Sequence, residues 1–183
     1  MNRNIGLSEV ITFESSGIVS DFEKIFGPSA TWDSYFTREN WAVSTNTGNQ
    51  YLKSDLFREK YQDLLGAAGI HMGIADFFYQ AQPTLRIQLP GTQSVAYHTD
   101  YISSGHGKNI INFWLPLTNT NEYNCLWVVR EEESRKLLNQ FISDCWSLTK
   151  LDDEARKLAK ACVLKKNEML CFSNKILHGT IKN

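Results

Sequence analysis

Residues 83–98 read PTLRIQLPGTQSVAYH and mark the point where the sequence changes from mixed helical and extended patterns to short β-like segments. In residues 84–89 apolar and polar side chains alternate, and Pro90-Gly91 ends the pattern, which is typical of a strand followed by a turn. Four more short runs follow, at residues 94–98, 109–117, 126–129 and 169–172. Short strands separated by turn residues predict a sandwich or barrel and argue against a parallel, doubly wound sheet.

Helical patterns precede and interrupt these strands. Residues 19–26 read as a short helix that Gly27-Pro28 ends. Ser54 is a typical N-cap for a helix that runs to about Leu65, where the glycines at 66 and 69 would end it. A helical insert at residues 131–160 separates the fourth strand from the last one. We therefore expect a mainly β fold with flanking helices.

The length of 183 residues predicts a single domain with one core. We expect residues 1–82 to form a flanking region of helix and strand. Residues 83–183 are expected to form the core, which includes the helical insert at residues 131–160.

Composition narrows the class of protein. The 19 basic and 20 acidic residues nearly cancel, to a net charge of −1, so the chain has no general attraction for nucleic acid or anionic membranes. No apolar run approaches the ~18 residues of a membrane span, and no apolar signal region follows Met1. None of the four cysteines forms a CxxC pair. These features predict a cytoplasmic protein with reduced cysteines.

The motif His98-Thr99-Asp100 carries the chemical information in the sequence. Residues two apart on a strand face the same side, so the imidazole and the carboxylate converge on one point. A distant His178, in Leu177-His178-Gly179, is available as a third ligand. Two histidines and one carboxylate form the facial metal site of non-haem Fe(II) oxygenases, with positions left open for co-substrate and O2.

Six segments follow one another in a fixed order between residues 83 and 183: residues 83–91, Tyr97-His98-Thr99-Asp100, Gly105-His106, residues 111–118, Leu126-Trp127 and Leu177-His178-Gly179. This ordered set resembles the motifs of the Fe(II)/2-oxoglutarate-dependent dioxygenases. The branch that it resembles most is the one related to a streptomycin-biosynthesis oxygenase and to phytanoyl-CoA hydroxylase.

The resemblance implies a double-stranded β-helix, the jelly-roll core also found in cupins. It implies that His98, Asp100 and His178 hold Fe(II) as the catalytic centre, that 2-oxoglutarate is the co-substrate, and that O2 is consumed. The reaction would hydroxylate a C–H bond of a small polar metabolite or natural-product intermediate. We expect no nucleic-acid or membrane partner, and the sequence does not define the oligomeric state.

Three further residues are candidates for binding the co-substrate. Arg86 and Gln88 have the same parity on the predicted strand, so both are expected to face the barrel interior. By analogy with the family, Gln88 would donate to 2-oxoglutarate, and Arg86 would bind an anion or form a buried ion pair. Asn112 would reach co-substrate or a nearby water, or else hydrogen-bond to the backbone.

Family members usually bind the far carboxylate of 2-oxoglutarate with an arginine some ten residues beyond the distal histidine. The printed sequence ends at Asn183, five residues after His178. We therefore expect either a further C-terminal segment or a different donor. Two alternatives stay open: a non-catalytic jelly-roll protein that retains a metal site, and a cupin-like metalloenzyme that does not use 2-oxoglutarate.

Overall fold

The computed structural model describes residues 9–12, 17–89, 91, 95–103 and 110–181. Within them the helices are α1 Gly17–Phe26, α2 Trp32–Tyr35, α3 Trp41–Leu52, α4 Asp55–Met72, α5 Asp100–Ser103, α6 Glu131–Ser143 and α7 Leu148–Leu158, with a 3-10 turn at Ser29–Thr31. The strands are β1 Glu9–Thr12, β2 Ile111–Trp114, β3 Leu126–Val128, β4 Lys160–Cys162, β5 Glu168–Ser173 and β6 His178–Gly179.

The expectation of a mainly β protein with a double-stranded β-helix core is wrong. About 47% of the described residues are helical and only 14% lie in strands. Those strands form two small three-stranded sheets, with the orders β1-β5-β2 and β4-β3-β6. The described part of the chain is therefore an α+β structure in which helices outweigh strands.

The predicted strand at residues 84–89 shows why the expectation failed. Its alternation is real, because Leu85, Ile87 and Leu89 are more buried than the residues between them. The segment lies against a helix, however, and does not belong to a sheet: the Leu85 side chain reaches Gly48 of α3, and the Trp41 indole donates to the Ile87 carbonyl at 3.0 Å. An alternating pattern indicates an extended segment with one buried face, but it does not indicate whether a sheet or a helix covers that face.

Contacts divide the chain into two compact units, which we describe separately. One comprises residues 12–90, and the other comprises residues 1–11 and 91–183. The expectation of a single domain stays a prediction. Among the described residues, no helix combines the length and the apolar character that crossing a bilayer requires.

The unit of residues 12–90 is helical and contains both predicted helices. Helix α1 includes the predicted residues 19–26, and the Ser54 hydroxyl accepts a hydrogen bond from Phe57 N at 3.2 Å as the N-cap of α4. Helix α4 continues past Gly66 and Gly69 and ends at Gly73, whose φ of +67° suits glycine. The two earlier glycines are tolerated inside the helix because tertiary packing outweighs their low helix propensity.

A buried carboxylate joins the helices of this unit. Asp21 on α1 accepts hydrogen bonds from Lys60 on α4, from Lys24 at 2.9 Å and from the Tyr51 hydroxyl on α3 at 2.8 Å. Burial opposes the ionisation of Asp21, but these three donors outweigh it and lower the pKa of the carboxyl to about 2.

The other unit contains both sheets and the helical insert. Strands β2 and β5 pair antiparallel, with Phe113 opposite Cys171, and β3 pairs antiparallel with both β4 and β6. One apolar cluster takes residues from both sheets, and a second lies between the β4-β3-β6 sheet and helices α6 and α7. The predicted insert is thus confirmed as two helices packed on one sheet.

All four cysteines are free thiols. Two of them, Cys125 and Cys162, lie on or beside the paired strands β3 and β4. Burial raises the pKa of both thiols, that of Cys162 to about 11. These two thiols are therefore protonated and weakly nucleophilic near neutral pH.

Replacing Asp21 by asparagine is expected to remove an acid-sensitive part of the stability of the helical unit. The folded pKa of about 2 lies below the ordinary 3.8, so the ionised carboxylate stabilises the unit above about pH 4 and this contribution is lost as the pH falls toward 2. The contribution near neutral pH is about 2 kcal/mol. Amide exchange of α1 and α4 in both proteins at pH 6 and pH 3 measures it. A wild-type advantage that is equal at the two pH values would contradict this explanation.

Candidate metal centre

The site begins with a backbone contact between two distant histidines. His98 and His178 form an isolated antiparallel bridge in which each amide donates to the other residue's carbonyl at 3.0 Å. The contact continues as Thr180 N donates to Val95 O at 3.0 Å. Gly179 permits this approach, because a Cβ at that position would lie 2.8 Å from Val95 O. The bridge places the two imidazole rings on the same side, with 4.5 Å between their centroids.

Each imidazole is held by a carbonyl two residues earlier. His98 Nδ1 lies 2.9 Å from Ala96 O, and His178 Nδ1 lies 3.0 Å from Ile176 O. A carbonyl oxygen only accepts hydrogen bonds, so in the neutral ring Nδ1 carries the proton and Nε2 carries the lone pair. Both rings therefore present a metal-binding nitrogen, in the arrangement typical of histidine ligands in proteins.

Asp100 completes the group from the first residue of helix α5. The Tyr101 amide donates to Asn174 O at 3.0 Å, which ties the start of this helix to the chain just before β6. The two carboxylate oxygens face different rings: Oδ1 lies 3.6 Å from His98 Nε2 and Oδ2 lies 3.8 Å from His178 Nε2. The carboxylate thus lies against both nitrogens that are free to bind a cation.

These three side chains form a group that could hold a metal ion. One ligand atom from each lies within 4.8 Å of the others. Donors at right angles around a metal with bonds of ~2.1 Å are ~3 Å apart, so binding would draw the side chains together by about 1 Å. His178 is buried, whereas His98 and Asp100 are partly exposed, so the group is open on one side. Phe172 packs edge-on against the His178 ring at 4.9 Å.

Asn112 lies in contact with this group. Its side-chain amide donates to Asp100 Oδ2 at 2.6 Å from strand β2. This hydrogen bond orients the carboxylate, which is the role that partners of metal ligands commonly have. Sequence reasoning placed Asn112 near the centre but did not identify Asp100 as its partner.

Arg86 and Gln88 lie in the other unit, on the exposed side of the extended segment that packs on α3. The idea that both face a barrel interior is wrong, because residues 84–89 form no strand. Their binding of a co-substrate stays a prediction. His106 falls in residues 104–109, outside the described part of the chain.

Two residues that hydrogen-bond to the backbone next to His98 and His178 were not identified from the sequence. Ser134 on α6 accepts a hydrogen bond from Leu177 N at 3.1 Å, and Asp152 on α7 accepts one from Tyr97 N at 2.6 Å. Leu177 and Tyr97 each precede a histidine of the group. No local signal marks Ser134 or Asp152, because a serine or an aspartate in a polar helix is ordinary.

The sequence matches no protein-family model and no curated protein.

The neutral tautomers of His98 and His178 are a direct consequence of the two carbonyl contacts. In metal-free protein near pH 8, imidazole 15N shifts are expected to report a protonated Nδ1 and an unprotonated Nε2 for both rings. His71, exposed on α4, serves as the reference within the same sample. A neutral ring with its proton on Nε2 and none on Nδ1 would contradict the proposed orientation of the ligands.

Proposed function

We propose that the chain is a non-haem Fe(II) oxygenase of the 2-oxoglutarate-dependent type, which hydroxylates a C–H bond of a small polar molecule. The observation that carries this proposal is the convergence of His98 Nε2, His178 Nε2 and the Asp100 carboxylate within 4.8 Å. Two imidazoles and one carboxylate with open positions are the donor set that such oxygenases use.

The donor set fits Fe(II) or Zn²⁺ better than the other common ions. Thiolates, which favour zinc or copper(I), are not among the three donors, and an all-oxygen set that would suit Mg²⁺ or Ca²⁺ is not formed either. Zn²⁺ also accepts two histidines and a carboxylate, so the choice between the two metals depends on the resemblance to the oxygenase family. When bound, Fe(II) with 2-oxoglutarate and O2 supplies the oxidising chemistry.

The residues of the chain have three tasks in this proposal. The carbonyls of Ala96 and Ile176 fix the tautomer of each neutral ring, so that Nε2 carries the lone pair, and they hold both rings in orientation. Asn112 holds the Asp100 carboxylate by one oxygen, so that the carboxylate does not rotate away. The partly exposed side of His98 and Asp100 leaves room for co-substrate and substrate to approach.

Anaerobic addition of Fe(II) and 2-oxoglutarate is expected to produce a weak visible charge-transfer band. The band should be absent from His98→Ala and from Asp100→Ala, because each variant lacks one metal donor. His71→Ala is the matched control, since it removes a histidine from outside the group, and it should keep the band. Succinate release in air provides a second readout.

The outcomes distinguish the proposed reaction from the proposed metal site. No band in the unmutated protein at saturating ligand would contradict the 2-oxoglutarate reaction. If metal still bound through His98 and Asp100 under those conditions, a metalloenzyme of another kind or a non-catalytic binding protein would be favoured. Unchanged metal binding in both alanine variants would refute the metal site itself.

Replacing Asn112 by alanine is expected to weaken Fe(II) binding about tenfold, because Asp100 loses the donor that orients it. Equilibrium metal titration followed by competition with a chelator measures the change. Asn139→Ala, on the exposed face of α6, should leave the affinity unchanged. Equal affinities in the Asn112 and Asn139 variants would show that the contact has no role in metal binding.

A further inference from the structure

Helices α6 and α7 pack behind the metal centre. Side chains alternate along an extended chain, so Tyr97 and Leu177 point away from the imidazoles that follow them. Both belong to the apolar cluster that contains Leu137 of α6 and Leu151 and Ala155 of α7. The helix pair therefore covers the face of the sheet that is opposite the metal group.

Ser134 joins α6 to the strand that carries His178. Its side chain is 1% exposed. The hydroxyl donates to Val129 O at 3.1 Å and accepts from Leu177 N at 3.1 Å, while Val129 N donates directly to Leu177 O at 2.9 Å. The hydrogen bond from Val129 N to Leu177 O is thus direct. In the opposite direction, the Ser134 hydroxyl lies between Leu177 N and Val129 O and bonds to both. The hydroxyl sets the spacing of the two chains one residue before His178.

Asp152 makes the equivalent contact from α7. Its Oδ1 accepts from Tyr97 N at 2.6 Å, one residue before His98. The same carboxylate pairs with Arg156, whose guanidinium lies 5.3 Å from the centre of the Tyr97 ring. Asp152 is therefore itself held in place. Each helix of the pair thus binds the backbone amide of the residue that precedes one histidine.

We propose that the α6–α7 pair positions the metal group, with Ser134 fixing the location of His178 and Asp152 fixing that of His98. The role in metal binding rests on the proposed function, whereas the hydrogen bonds of Ser134 and Asp152 do not depend on it. Ser134 and Asp152 are positioning residues, because they act through the backbone and do not touch the metal position. Without the hydroxyl, Leu177 N and Val129 O would lose this relay and either remain without that partner or move together. Movement of the two chains would displace His178, and a Leu177 amide without a partner would loosen the segment that carries it.

The decisive comparison is between Ser134→Ala and Thr120→Val in the full chain. Thr120 makes a similar relay in the same unit, because its hydroxyl donates to Leu164 O at 3.0 Å and accepts from Leu164 N at 2.7 Å. Leu164 is not next in sequence to a metal donor. Both substitutions remove a hydroxyl with little change of shape, so both should lower stability, but only Ser134→Ala should weaken binding of Co(II), about tenfold. Co(II) is the probe because its visible spectrum reports ligand geometry.

A metal-free readout keeps the inference testable by itself. Amide exchange at Leu177 and His178, and the imidazole 15N shifts of His98 and His178, should change in Ser134→Ala and stay unchanged in Thr120→Val. If the unmutated protein binds no Co(II), the proposed function is overturned, and these signals still decide whether Ser134 positions His178. Equal behaviour of the two variants in the exchange and shift measurements would overturn the inference.

Asp152 provides an independent arm of the test. Asp152→Ala removes the acceptor for Tyr97 N, whereas Asp152→Asn keeps an oxygen in its place. Co(II) affinity should therefore fall in the alanine variant and largely recover in the asparagine variant. Glu154→Ala, which breaks the 2.7 Å ion pair with Lys157 on the same helix, is the control. Loss of affinity in all three variants would indicate a general effect of helix stability and would refute positioning by Asp152.

Discussion

The two backbone hydrogen bonds between His98 and His178 are the constraint on which the site depends. They join parts of the chain that are 80 residues apart and place two imidazoles side by side. Gly179 allows the close approach, and the carbonyls of Ala96 and Ile176 orient the rings. Asp100 lies two residues beyond His98, so the same bridge brings the carboxylate to the group. Metal-binding geometry is thus a product of backbone pairing more than of side-chain contacts.

The metal group could be predicted from the sequence because its chemistry is local. His98 and Asp100 are two residues apart and form a short motif. Few residue types can bind such a metal, so the distant His178 was the natural candidate for the third ligand. The structure brings these three residues together. Asn112 was predicted to reach co-substrate, a nearby water or the backbone, whereas its hydrogen bond to Asp100 depends on the position of β2 relative to α5, which no short pattern contains.

The fold was predicted less well for a physical reason. Residues 84–89 have the alternation of a strand, yet the Leu85 side chain packs on α3 and the Ile87 carbonyl accepts from Trp41. The spacing of hydrophobic residues indicates which side chains are buried. Formation of a sheet depends in addition on a second strand, distant in sequence, whose backbone pairs with the segment. Helix starts were predicted more accurately, as at Ser54, because an N-cap acts within one turn. The predicted end of α4 was wrong, because tertiary packing stabilises the helix beyond Gly66 and Gly69.

The proposed iron site can be located by anomalous diffraction at the iron edge, on crystals grown anaerobically with Fe(II). We predict one peak about 2 Å from His98 Nε2, His178 Nε2 and an Asp100 carboxylate oxygen, with both Nδ1 atoms still bonded to their carbonyls. Full occupancy of iron at another position, or coordination through either Nδ1, would contradict the account. So would a metal-saturated crystal in which these three side chains remain apart.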